Sequence, residues 1–167
     1  MKTLCKCLDS NYYLYEEGLQ IYGLKGGEVF GALEGPPKTL YENGYFLFKM
    51  IFSSKVPFKP LIFYFLTNIF HPNISEFGLV SIDIIKSQWT RLLVHLEKII
   101  ISVHSLLDAP NPDDFINEEE AKLYKEDKNK YDKTVREYTS LFANYLIFEQ
   151  DLEKLNIQIE YINDEIN

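Results

Sequence analysis

Hydrophobic positions follow one rhythm up to residue 66 and another from residue 92. In the first part they fall in short runs: "LQIYGL" (19–24), "EVFGALEG" (28–35), "GYFLFKMIF" (44–52) and "LIFYFL" (61–66). Short runs bounded by turn residues predict strands. Lys25-Gly26-Gly27 splits the first two, and "GPPKTLYENG" (35–44) is a turn-rich connection before the third. "SSKVPFKP" (53–60) carries two prolines, which cannot donate to a ladder, so it predicts a loop.

From Leu92 the period lengthens. Leu92, Leu96, Ile99, Ile100, Val103, Leu106 and Leu107 share one helical face. "DAPNPDDF" ends that helix, because each proline biases its predecessor away from helical geometry. "NEEEAKLYKED" opens another, with acids near the positive end of the helix dipole. A last helix starts near Lys130 with no stop signal after it. Strands first and helices after predict an α+β domain: a four-stranded antiparallel meander packed with helices.

The last helix carries a second pattern. Leu141, Tyr145, Phe148, Leu152, Leu155, Ile159, Ile162 and Ile166 are spaced alternately by four and three, without proline or glycine. That is a heptad seam. It predicts either a partner helix lying on Leu152, Leu155, Ile159 and Ile162, or a helix folded back onto its own domain. Glu149, Asp151 and Glu165 flank the seam without a basic residue, so two parallel copies would find no attractive charge pairs. A different or lysine-rich partner fits better.

Composition narrows the class. Hydrophobic residues make up 46% and aromatics 15% of 167 residues, enough to bury a core. No apolar run reaches the roughly 18 residues that span a bilayer, and the opening segment lacks a signal-type apolar stretch. The expectation is a soluble protein of cytoplasm or nucleus with no membrane span. A net charge of −8 repels phosphate backbones, which argues against nucleic acid and for partners with basic faces. Cys5 and Cys7, one residue apart, make neither a disulfide framework nor a metal site on their own. No cofactor and no metal is expected.

The distinctive segments lie in a set order: Gly35-Pro36 with Tyr41 and Gly44, "VPFKP" (56–60), "HPNI" (71–74), "GLVSIDII" (78–85), Trp89 and "PNPDD" (110–114). In this order and spacing the chain resembles the ubiquitin-conjugating enzymes over roughly residues 19–143. The resemblance implies a catalytic-core domain over 1–143 and a C-terminal helical extension over 144–167. It implies passage of ubiquitin or a ubiquitin-like protein from an activating enzyme, through a cysteine thioester, to a lysine. That cysteine lies ten residues after the motif's histidine and eight before its tryptophan. Here His71 plus ten, and Trp89 minus eight, is Ser81.

A thiol is partly ionised and strongly nucleophilic at neutral pH, whereas an alcohol needs an adjacent base. An oxyester on Ser81 would also be a poorer acyl donor than a thioester. Ser81 is therefore expected to keep the shape of the site and lose its turnover. Around it the resemblance supplies Asn73, as an oxyanion donor or as a brace for the nearby loop. It also supplies Asp83, Asp113 and Asp114, as acids that position the incoming lysine or as plain turn and capping residues. Ligase docking would use Phe58 and the residues after Trp89. Arg91, followed by Leu92, puts a cation where the family commonly has proline, and the segment before the first strand is short for the family's first helix. Docking of an activating enzyme or ligase is thus in doubt. Two readings stay open: a conjugating-enzyme-like scaffold without thioester chemistry, or an active enzyme whose cysteine is exchanged for serine in this sequence to trap an oxyester.

Overall fold

The computed structural model describes residues 19–25, 28–53, 58–86 and 96–154. Its sheet is a meander of four antiparallel strands in chain order: β1 (Leu19–Lys25), β2 (Glu28–Glu34), β3 (Tyr45–Ile51) and β4 (Ile62–Phe65). β2 and β3 pair without interruption from Glu28↔Ile51 to Glu34↔Tyr45. The β1–β2 register shifts between Ile21 and Gly23, which places a bulge there.

Successive side chains point to opposite faces of a strand, and the sequence fills the two faces differently. On the inner face Val29, Leu33, Phe46, Phe48, Met50, Phe63 and Phe65 are buried. Phe48 and Phe63 stack at 4.9 Å between centroids. Helix α2 (Leu96–Asp108), which follows the single turn α1 (Asp83–Lys86), lays Ile99, Ile100, Val103 and Leu107 against this face. These positions match the apolar stripe read from the sequence. Leu92 of that stripe lies outside the described residues.

Helices α3 (Glu118–Glu126) and α4 (Lys128–Phe142) follow across one residue, Asp127, whose carboxylate caps α4 by accepting from the Lys130 N–H at 2.9 Å. Tyr131 and Val135 of α4 complete the main core. Tyr41 is buried beside them, and its hydroxyl donates to the Phe70 carbonyl at 2.8 Å.

One sequence expectation needs correction. No stop is visible after Lys130, yet α4 ends at Phe142 and a separate helix, α5 (Tyr145–Lys154), begins. The cause is local. The Ala143 carbonyl accepts the Tyr45 N–H at 2.7 Å, so the start of β3 takes it out of the helix ladder. Asn144 then serves both ends: its amide donates to Ser140 and its side-chain oxygen accepts from the Ile147 N–H. The break takes Leu141 off the stripe and leaves it 61% exposed. Phe148 is instead buried with Ala32 and Leu47 on the outer face of the sheet, and Tyr45, Leu66 and Leu152 surround it. At these positions the helix lies on its own domain; Leu155, Ile159, Ile162 and Ile166 lie outside the described residues.

Candidate functional site

The segment from His71 to Ser81 doubles back on itself beside β4. Isolated bridges join Ile74 to Val80 and Tyr64 to Leu79. The Phe65 N–H donates to Gly78 at 2.8 Å, and Val80 donates to Phe63 at 3.0 Å. Gly78 has φ +81°, and a β-carbon there would lie 1.9 Å from the Phe65 carbonyl oxygen, so the turn requires glycine. Ser81 ends this return. It is 7% exposed, and its N–H donates to the Asn73 carbonyl at 2.9 Å. Asp83, exposed, opens α1 two residues later.

Asn73 is 2% exposed, and its side chain is fully committed. Its two amide hydrogens go to the carbonyls of Asn111 and Asp114, both at 2.8 Å. Its oxygen accepts the Asn111 N–H, also at 2.8 Å. Since a primary amide has two hydrogens to give, no donor is left for an oxyanion while these bonds hold. One residue thus links two pieces of chain: backbone to Ser81, side chain to the 111–114 loop. Pro72 adds to the link, its carbonyl accepting from Ile116 at 2.9 Å and Asn117 at 3.0 Å.

Asp113 and Asp114 therefore sit on a loop fastened to the floor of the site. Both are exposed. Asp113 pairs with Lys125 at 2.7 Å in a solvated ion pair of small energetic weight. The Asn111 side chain holds the turn by accepting from the Asp113 N–H at 3.1 Å. Phe58 is 69% exposed at the far end of the proline-bearing loop. Trp89, Arg91 and Leu92 lie outside the described residues, as do Cys5, Cys7 and the segment expected to form a short first helix.

His71 is fully buried, and both ring nitrogens are engaged. Nδ1 accepts the Asn73 N–H at 3.0 Å, so Nε2 carries the proton and donates to the Leu106 carbonyl at 2.9 Å. Burial pushes its pKa down to about 4, against a smaller opposing effect of the Leu106 carbonyl. A neutral ring bound in this way is a brace. His104 bonds the Glu34 carbonyl at 3.2 Å. Among the described residues no imidazole is hydrogen-bonded to the Ser81 hydroxyl.

Glu120 is a participant that the sequence reading grouped with its neighbours. It is the only acidic side chain among the buried described residues, and its carboxylate accepts the backbone N–H of His71. Burial raises its pKa to about 7; the His71 bond acts in the opposite sense, and Glu119 adds a smaller upward push. A signal did exist. Consecutive helical residues are about 100° apart, so Glu118, Glu119 and Glu120 cannot share one solvent face, and Glu120 lines up with Ala121 and Tyr124 on the inner side.

Two comparisons bear on this geometry. Residues 25–139 match the family profile described as "Ubiquitin-conjugating enzyme". The fold is similar to the E2 domain of a Toxoplasma gondii ubiquitin conjugating enzyme, with a TM-score of 0.77 and 28% sequence identity, over 85% of this chain and 99% of that one.

Proposed function

Because the chain belongs to the ubiquitin-conjugating enzyme family, we propose that it serves the conjugation of ubiquitin or a ubiquitin-like protein as a scaffold or partner with impaired catalysis. The observation that carries this reading is the state of His71 and His104, the histidines among the described residues; His95 lies outside them. His71 is neutral with both ring nitrogens in use, and His104 is bonded elsewhere. A serine hydroxyl without a base stays protonated at neutral pH and attacks an acyl group slowly. The shape of the floor is kept by the Asn73 links, and a modifier or partner can still be recognised on it.

A second reading has its own support. Asn73, Asp83, Asp113 and Asp114 are all present, and the loop that bears the last two is held firmly. That arrangement suits an active enzyme whose cysteine has been exchanged for serine. Incubation with activating enzyme, ATP and ubiquitin separates the two. The scaffold stays unmodified, and Ser81→Cys restores little transfer. An adduct that resists thiols but is cleaved by base, with rapid discharge to lysine by Ser81→Cys, would establish the second reading. In the scaffold reading the partners dock through Phe58, the segment around Arg91 and Leu92, or the residues after Leu152.

A further inference from the structure

A buried carboxylate beneath a binding floor needs a reason, since burial of an anion without a charge partner is costly. Glu120 has no ion-pair partner among the described residues. It holds the first residue of the His-Pro-Asn turn by its backbone N–H. His71 in turn fixes the Asn73 N–H through Nδ1. Asn73 then holds Ser81 by its carbonyl and the 111–114 loop by its side chain. The bonds form one series from Glu120 to Ser81.

We propose that Glu120 is a positioning residue of this site, whose proton decides whether the His-Pro-Asn turn, and with it Ser81 and the Asn111–Asp114 loop, is held in register. The proposal builds on the reading of 71–81 as the floor that handles a modifier, but the coupling is a property of the free protein.

The surroundings set the direction. Glu119 neighbours Glu120 on α3, with Tyr124 further along that helix. The buried phenols of Tyr41 and Tyr131 are near enough to feel the charge of Glu120, and burial keeps both neutral. The His71 ring is neutral and turned to Leu106. Lys128 lies over the rings of Tyr124 and Tyr131, at 4.5 and 4.9 Å from their centroids, and pairs with Asp132. None of these groups supplies a positive charge to an ionised Glu120. The neutral carboxyl therefore fits the buried site and the anion does not. Ionisation makes the carboxylate a better acceptor for the His71 N–H, but the cost of keeping the charge out of water is larger, so the ionised side chain turns to water at the first turn of α3 and gives up that bond. With burial raising this carboxyl to about 7, the release falls in the neutral range.

Amide hydrogen exchange on the free, full-length protein tests this, with intrinsic base catalysis factored out. A group titrating near 7 goes from about one-tenth to nine-tenths ionised between pH 6 and 8. Protection of the His71, Ser81 and Asn111 amides is thus expected to fall about tenfold over that interval. In Glu120→Gln, which keeps an acceptor and cannot ionise, protection should stay level. The proposal is overturned by wild-type protection that is flat or rises with pH. It is equally overturned by an identical decline in the variant, or by a decline confined to His71. The wild-type titration decides the matter even if the variant fails to fold. No modifier is present, so failure here leaves the adduct assay at Ser81 untouched.

Discussion

Replacing Asn73 with alanine removes three side-chain hydrogen bonds at once: two donated to the Asn111 and Asp114 carbonyls and one accepted from the Asn111 N–H. Each orphaned backbone partner costs about 1–3 kcal/mol if it stays dry. Asn111 and Asp114 are exposed on their outer side, so water recovers part of this and the low end applies. The expected loss is about 3 kcal/mol, or a drop in Tm of roughly 6–12 °C for a domain of this size. Asn73→Asp keeps the accepting oxygen and turns the other atom into an oxygen facing two carbonyls. It should cost at least as much at neutral pH. Urea denaturation with a fixed m-value measures both. A loss below about 1 kcal/mol for Asn73→Ala would refute the claim that this side chain chiefly braces the loop. If the alanine variant were stable yet formed far less adduct at Ser81→Cys, its amide would act on the oxyanion instead.

Gly78→Ala should cost at least about 2 kcal/mol in thermal unfolding, since φ is +81° and the Phe65 carbonyl stands 1.9 Å from the new β-carbon; a neutral result would disprove the turn geometry. Phe148→Ala should lose about 3 kcal/mol, because the ring is buried against Ala32 and Leu47; an unchanged urea midpoint would mean that α5 is not seated on the sheet. The pH dependence of stability has two opposed parts. His71, lowered to about 4 from 6.5, contributes stability that is lost as pH falls below 6.5. Glu120, raised to about 7 from 4.5, contributes stability that is complete below 4.5 and lost as pH rises through 7. Wild type should therefore be nearly flat between pH 4.5 and 6.5, and Glu120→Gln should become steadily more stable with rising pH there; a flat variant would contradict this.

Strands and helices were legible because burial follows period. The runs at 28–34, 45–51 and 62–65 and the stripe Ile99, Ile100, Val103 and Leu107 lie where hydrophobic spacing puts them. Motif spacing also singled out His71, Asn73 and Ser81, and these three occupy one return of the chain. The helix break was hidden because its cause lies about a hundred residues away in sequence: the Tyr45 N–H, which draws off the Ala143 carbonyl. No local pattern reports such a bond. The commitment of Asn73 was hidden for the same reason, as its partners lie at 111 and 114. Glu120 was missed because three successive acids at a helix start read as one group placed by the helix dipole, although helical geometry alone turns one of them inward.

The outer face of the sheet is already tenanted. Any molecule approaching Ala32 and Leu47 must first evict Phe148, a competitor tethered to the same polypeptide and so undiluted at any protein concentration. If eviction costs about 3 kcal/mol, an incomer's apparent affinity there is weakened on the order of a hundredfold. Trimming one aromatic ring would lift that handicap while leaving the bonds that Asn73 makes to Ser81 and to the 111–114 loop unaltered.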